Sequence, residues 1–256
     1  MPRLFTGKQI LYYGLEQIMK KRQKIRKGLI FISFLLFPIT MFYLSPAIII
    51  NGASRGIITG SFISFSSLFI SSLLFGRLFC GWLCPGAGIQ EALLVINGQA
   101  VKKNNWIKYL IWLPWVSVIL LLFILNGIKS VELLYGIKNG ISMSEPHNYI
   151  VYYLFLALFV VLSLVVGKRS FCHHVCWMAP FMILGRRLRN LISWPSLHLK
   201  AEQAQCKNCH SCTAQCPMSL DVEQMVHESA MEHDECILCG TCVDQCANGA
   251  IRYGFF

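Results

Sequence analysis

Charged residues are scarce in this sequence: Asp, Glu, Lys and Arg make up only 14% of its 256 residues, against roughly a quarter in ordinary soluble domains. Four stretches contain none of them, and each is long enough for the ~20 residues that a membrane-spanning helix needs. These stretches are residues 28–54, 56–76, 109–128 and 146–167. The absence of charge argues against a soluble protein and predicts an all-α bundle of four transmembrane helices. A fifth apolar piece, residues 170–185, is shorter and contains a proline, which favours an interfacial or re-entrant helix over a fifth span.

Acidic residues are scarcer than basic ones, since the sequence has 23 Lys and Arg but only 12 Asp and Glu. Eight of the basic residues precede the first apolar stretch, four lie between the second and third, and eight follow the fourth. Only three lie in the remaining loops, which four spans would place on the opposite side of the membrane. This is the positive-inside pattern, so both termini are expected in the cytoplasm of a prokaryotic cell whose inner membrane the chain crosses several times. The same distribution argues against nucleic-acid binding. The first apolar run lacks a small-residue cleavage site, so we expect it to be retained as an anchor.

No cysteine is scattered, because all twelve fall into motifs. Two runs near the end have the spacing C-x2-C-x2-C-x3-C of bacterial ferredoxins with two [4Fe-4S] clusters, in which the fourth cysteine of each run binds the other cluster. A zinc site would leave the third cysteine of each run unexplained, and disulfides are disfavoured in the reducing cytosol. The first tail set comprises Cys206, Cys209, Cys212 and Cys246, and the second tail set comprises Cys236, Cys239, Cys242 and Cys216.

The composition changes after residue 200, since residues 201–256 hold eight acidic and two basic residues. The sequence therefore predicts a basic N-terminal segment over residues 1–27, a transmembrane domain with short interfacial helices over residues 28–200, and a small cytoplasmic α+β domain of the 2[4Fe-4S] ferredoxin-like kind over residues 201–256. Ser219 is the expected N-cap of a helix between the two cysteine runs.

The remaining four cysteines form two pairs at equivalent positions of a weak internal repeat with an offset of 92 residues. Thiols at i and i+4 share one face of a helix, and the expected topology places both pairs at the cytoplasmic edge of the membrane. The membrane-edge set is Cys80 with Cys84 and Cys172 with Cys176. It predicts a third metal centre, either an iron-sulfur cluster or a soft ion such as copper or zinc. Two unrelated pairs of buried thiols are the alternative.

Ionisable residues beside these pairs have two interpretations each. His173 or His174 could accept a proton during quinol oxidation, because imidazole titrates in the required range, or both could face lipid headgroups. Glu91 is expected to pair with Lys102 or Lys103, or to belong to a proton path.

The motifs GRLFCGWLCPGAGIQE and FCHHVCWMAPFMILGRR, together with the two tail runs, resemble membrane-bound ferredoxin-type subunits of the NapH and NosR kind. The resemblance covers residues 28–256. It implies four spans, paired C-x3-C-P motifs, cytoplasmic [4Fe-4S] clusters, and electron transfer between the quinone pool and partner proteins. Trp177 stands where that family has the proline of the second motif.

Two functions are compatible with these features. The first is a membrane-bound electron-transfer protein, a subunit of an oxidoreductase of the quinol dehydrogenase type with no catalytic residue of its own. It would relay single electrons between the tail clusters, the membrane-edge centre and either the quinone pool or a redox partner such as a ferredoxin, cytochrome or flavoprotein subunit. The alternative is a copper-handling reductase or carrier in metalloenzyme maturation, with the membrane-edge set as its copper site. The sequence does not predict the oligomeric state.

Overall fold

A computed structural model describes residues 21–101, 106–137 and 139–255 of the chain, and helices dominate it. Of the predicted basic N-terminal segment, residues 1–20 lie outside the described residues, as do Lys102 and Lys103.

The first half of the membrane part begins with a broken helix. Helix α1 (Lys21–Leu35) is followed, after a bend of 57°, by the short helix α2 (Phe37–Thr40), which has Pro38 in its first turn. A proline at this position cannot donate the hydrogen bond that would continue the preceding helix. The half continues with α3 (Pro46–Arg55), β1 (Ile57–Thr59), α4 (Gly60–Phe75), α5 (Leu78–Trp82) and α6 (Pro85–Ala92).

The second half repeats the order of α4, α5 and α6: a long helix, a very short helix and then a further helix. Its elements are α7 (Ile107–Asn126), β2 (Ser130–Glu132), α8 (Pro146–Val165), α9 (Ser170–His174) and α10 (Ala179–Leu191). Strands β1 and β2 form a parallel pair of three residues each, which places Ile57 opposite Ser130. Helix α9 lies 92 residues after α5 at both of its ends, so the sequence repeat is also a structural repeat.

Two of these helices, α7 and α8, are long and apolar enough to cross a membrane on their own. The bent α1 and its continuation make a third candidate, while α4 is apolar but has only 16 residues. The chain is therefore a membrane protein. The predicted count of four spans is met in part, because the first uncharged stretch bends and the second forms a shorter helix than its length allows.

The two halves pack reciprocally. Helix α10 of the second half packs against α4 of the first, and α6 of the first packs against α8 of the second. Small residues allow both approaches: a Cβ atom at Gly185 would overlap Ser72 Oγ, and one at Gly86 would lie 3.1 Å from the ring of Phe159. This exchange brings the short helices α5 and α9 together at one edge of the bundle.

The tail folds around a two-stranded antiparallel sheet of β3 (Leu197–Ala201) and β4 (Ile251–Phe255). Three short α-helices lie between the strands: α11 (Ser211–Ala214), α12 (Val222–His227) and α13 (Thr241–Gln245). This is the α+β composition expected of the tail. The predicted domain boundary after residue 200 falls inside β3. The predicted cap at Ser219 is wrong, because Asp221 caps α12 by accepting a hydrogen bond from Gln224 N at 3.2 Å.

Candidate iron-sulfur sites

The second tail set comes together in the structure. Cys236, Cys239 and Cys242 line one cavity with Cys216, although Cys216 belongs to the first run of the sequence. The other walls of this cavity are largely apolar, and three of the four thiols are buried. Cys216 thus lies beside the three cysteines of the second run in one cavity.

The first tail set lies closer to the surface. Cys209 is exposed, and Cys206, Cys212 and Cys246 are half-buried. Cys246 directly follows α13, and α13 packs against α11, which carries Cys212. The helix pair therefore brings the last cysteine of the second run towards the first run.

Both runs wrap their sites with the same backbone conformation. Asn208 and His210 in the first run have positive φ angles of 53° and 56°, and Leu238 and Gly240 at the equivalent positions have 50° and 73°. Left-handed conformations are uncommon outside glycine. Alternating left- and right-handed residues turn successive N–H groups into a concave surface that binds anions, including iron-sulfur clusters. The tail loops therefore fit the cofactor that their spacing predicts.

The membrane-edge set also converges, but not on the continuous helical faces that were expected. Helices α5 and α9 end two residues before Cys84 and Cys176, whose N–H groups donate to Phe79 O and Phe171 O at 2.9 and 3.0 Å. Each pair therefore straddles a helix end, and the expectation that each shares a helix face is wrong. All four thiols are buried, and Cys84 interacts electrostatically with Cys80, Cys172 and Cys176.

A cavity in the bundle adjoins these thiols. Cys84, Cys172 and Cys176 line it together with the aromatic ring of Trp177 and with Gln90. Gln90 is fully buried, and its Nε2 donates to Gly86 O at 2.8 Å and to Cys172 Sγ at 3.5 Å. The thiols thus sit between a polar amide and an apolar, aromatic wall.

The loop of the second tail set packs directly on the first membrane-edge motif. Trp82 Nε1 donates to Leu238 O at 3.1 Å, and Gln23 Nε2 donates to Cys239 O at 3.0 Å. Gly81 lies beneath this loop: an added Cβ would overlap Ile237 O and lie 3.4 Å from Cys239 N. Cys80 and Cys239 therefore belong to backbone segments in contact with each other. The cysteine spacing alone does not reveal the role of Gly81.

A set of ion pairs fastens the tail to the membrane part, and each pair joins a basic residue of the membrane part to an acid of the tail. The pairs are Arg22 with Asp244, Arg77 and Lys108 with Glu235, Arg186 with Glu232, and Arg187 with Asp234. The opposite charge of the two regions is thus explained in part by direct contact between them.

Glu235 is the most enclosed of these acids. Its carboxylate is 2% exposed and accepts from Arg77 Nη1 at 2.8 Å and from Lys108. Burial alone would raise the pKa of Glu235, but Arg77 and Lys108 outweigh it and hold the pKa at about 2. Because this value is depressed, the pair contributes its stability above the ordinary carboxyl range and loses it only as the pH falls towards about 2. The contact is therefore ionic at neutral pH.

The ionisable residues of the membrane edge differ from their predicted surroundings. Glu91 pairs with Arg26 at 2.6 Å and with Arg169. His173 is 3% exposed, so the headgroup-facing interpretation is wrong for this residue, whereas His174 is half-buried. Burial, which Glu235 offsets only in part, lowers the pKa of His173 to about 4. His173 is therefore neutral at physiological pH.

Among the described residues, no three His, Cys, Asp or Glu side chains are grouped so that they could hold a single metal ion.

Family models match three regions of the chain. A model described as a 4Fe-4S binding domain matches residues 57–103 and again residues 149–195, at the same offset of 92 residues, and each match contains one cysteine pair of the membrane-edge set. A model described as a 4Fe-4S dicluster domain matches residues 205–251, which contain both tail sets. These matches support iron-sulfur clusters. Neither description mentions copper, zinc or a quinone.

Relatives with curated sequences cover most of the chain. An uncharacterised protein of Methanocaldococcus jannaschii is 27% identical over 91% of this chain and 87% of its own length. Ferredoxin-type protein NapH of Haemophilus influenzae is 23% identical over 71% of this chain and 63% of its own length. Regulatory protein NosR of Stutzerimonas stutzeri is 26% identical over 67% of this chain, but over only 24% of its own length. No solved structure matches. The resemblance predicted from the sequence is therefore confirmed: the chain carries 4Fe-4S binding domains and is homologous to membrane-associated ferredoxin-type proteins of the NapH and NosR kind.

Proposed function

We propose that this iron-sulfur electron-transfer protein relays electrons between a water-soluble redox partner and a centre at the membrane edge, with each tail set holding one [4Fe-4S] cluster and the membrane-edge set holding a third. Iron-sulfur clusters supply one-electron chemistry when they are bound. The observation that carries the proposal is the direct packing of the second-tail-set loop on the Cys80 motif through Gly81, Trp82 and Gln23.

The three cysteine sets become more buried from the first tail set to the second tail set to the membrane-edge set, which suits a relay that begins at the protein surface. The first tail set has the exposed Cys209, so it is the side that a redox partner such as a ferredoxin, cytochrome or flavoprotein subunit approaches. The second tail set is mostly buried and contacts the membrane-edge motif, whose own thiols are all buried. This gradient of burial supports a relay that runs from water to the membrane part.

The orientation and the second end of the relay are parts of the same proposal. The basic residues that contact the tail belong to the cytoplasmic side by the positive-inside pattern, so both termini and the tail lie in the cytoplasm and the chain spans the inner membrane several times. The apolar cavity beside Cys84, Cys172 and Cys176 supports exchange with the quinone pool. The division at residues 27 and 200 is retained as a proposed domain organisation.

Iron content tests the proposal. The full chain, purified without oxygen in detergent, is expected to bind about twelve irons and to show three centres that reduce separately in redox titrations followed by electron paramagnetic resonance. About eight irons with two centres would reject the membrane-edge cluster and leave the tail clusters in place. Protein with no reducible iron-sulfur signal would reject the function altogether, and copper at the membrane-edge set would favour the copper-handling alternative.

Replacing Cys216 with serine is expected to remove or alter the signal of the cluster held by Cys236, Cys239 and Cys242, because Cys216 lines their cavity. The matched variant Cys246→Ser is expected to affect the other tail cluster instead. Each variant loses about four irons if its cluster does not assemble. The measurement is iron content with paramagnetic resonance of each variant, and the reverse assignment of the two signals would contradict the exchanged ligand sets.

A further inference from the structure

Two buried arginines occupy equivalent positions in the membrane repeat. Arg77 and Arg169 each stand three residues before the first cysteine of a membrane-edge motif, 92 residues apart, and neither side chain is exposed to solvent. The cysteine spacing does not predict them, but aligning the two motifs residue by residue does. A fully buried arginine is rare unless it has a partner, so a repeated one requires an explanation.

Each arginine has one fixed set of protein partners. Arg77 Nη1 contacts Glu235 at 2.8 Å and donates to Asp234 O at 2.9 Å. Arg169 pairs with Glu91, and its Nη1 donates to Cys80 O at 2.8 Å, which crosses from the second half of the repeat to the first. The guanidinium group of Arg77 is therefore held by the tail, and that of Arg169 by the first half of the membrane repeat.

Other nitrogens of the same groups have no acceptor. Arg77 Nε, Arg77 Nη2 and Arg169 Nε are buried and lack a hydrogen-bond partner among the described residues. A buried donor of a charged group that remains without an acceptor costs free energy, more than a neutral donor does. A bound anion would supply the missing acceptors.

The neighbouring thiols indicate the class of anion. Cys80 and Cys176 interact electrostatically with Arg77, and Cys172 and Cys239 with Arg169. Protonated thiols are weak acceptors and carry no charge. Four thiolates around a [4Fe-4S] core carry more negative charge than the core carries positive charge, and reduction adds one more electron.

We propose that Arg77 and Arg169 are a charge-compensating pair that stabilises an anionic metal cluster on the membrane-edge set and raises its reduction potential. This inference rests on the proposed function, because it requires the third cluster. The acids that accompany the pair are unequal: Glu91 also binds Arg26 within the membrane part, whereas Glu235 comes from the tail. Docking of the tail therefore sets part of the charge around the membrane-edge centre.

Arg169 is the better position for the test. Glu91 keeps Arg26 as a partner when Arg169 is replaced, whereas replacing Arg77 also disturbs the contact with the tail. The variants are Arg169→Gln, which removes the charge, and Arg169→Lys, which keeps it. Arg187→Gln is the matched control, because it also replaces one arginine with glutamine, at a side chain that is 61% exposed and pairs with Asp234.

The measurement is a redox titration of the full chain, purified without oxygen, with iron content determined in parallel. Arg169→Gln is expected to lower the potential of the third centre by a tenfold change in its equilibrium constant or more, which is about 59 mV for one electron, or to lose that centre while both tail clusters remain. Arg169→Lys is expected to keep the potential of the third centre close to its wild-type value. Arg187→Gln is expected to leave that potential unchanged.

Three results would overturn the inference. One is an unchanged potential of an intact third centre in Arg169→Gln, and another is an equal effect of Arg169→Gln and Arg169→Lys, which would assign a steric role to the side chain. Both leave the proposed relay standing. The third is wild-type protein with only two centres, which removes the membrane-edge cluster from the proposed function as well.

Discussion

Replacing Glu235 with glutamine is expected to weaken attachment of the tail to the membrane part by about 3–5 kcal/mol, the usual cost of removing one partner from a buried ion pair. The substitution keeps the size of the side chain but leaves the charges of Arg77 and Lys108, both fully buried, without their carboxylate. The measurement is denaturant-dependent limited proteolysis of the full chain in detergent, scored by release of an intact tail.

The neighbouring residue provides the control for this experiment. Asp234 pairs with Arg187, and both side chains are substantially exposed. Asp234→Asn is therefore expected to change tail attachment by less than about 1 kcal/mol. Equal effects of the two substitutions would contradict a docking role for the buried pair.

Replacing Gly81 with alanine is expected to separate the second tail set from the membrane-edge motif. The added Cβ would overlap the backbone oxygen of Ile237 and press on Cys239, and backbone atoms cannot rotate away as the end of a long side chain can. Overpacking of this kind costs about 1–3 kcal/mol. Electron exchange between the tail clusters and the membrane-edge centre is expected to slow, which rapid-mixing reduction followed by freeze-quench paramagnetic resonance measures.

Gly28→Ala is the matched control, because it adds the same methyl group to the same part of the chain with nothing within 4 Å. Helix α1 is expected to tolerate or favour alanine there. Unchanged electron exchange in Gly81→Ala, with both tail clusters present, would show that the contact at Gly81 does not set the distance between the centres.

Cysteine spacing predicted iron-sulfur clusters in the tail, because an iron-sulfur cube imposes the separation of its ligands along the chain, and the match to a 4Fe-4S dicluster domain over residues 205–251 supports this prediction. The exchange of Cys216 between the two runs stays a prediction, which the cavity that Cys216 shares with the second run supports. Residues 170–185 likewise form short helices at the edge of the bundle, as their length and Pro180 indicated.

Tertiary contacts were beyond the reach of the sequence pattern. An uncharged stretch reports how much chain suits a membrane but not where a helix bends, so the break before Phe37 was missed. Glu91 was expected to pair with a lysine nearby in the sequence, but its partners are Arg26 and Arg169, which the fold brings from distant positions. Cysteine spacing gives no reason to single out Gly81, because this glycine contacts a loop more than 150 residues further along the chain.

The repeat is unequal at one position that faces the tail. Gly81 and His173 are equivalent in the two membrane-edge motifs, and only the glycine leaves room for a loop against the backbone. If the two halves were identical, the tail could dock on either of them. A tail docked on the second half would lie away from the Cys80 motif. The buried imidazole of His173 fills the space that its counterpart Gly81 leaves open. The membrane part therefore has two unequal halves, and only the half with Gly81 can accept the loop of the tail.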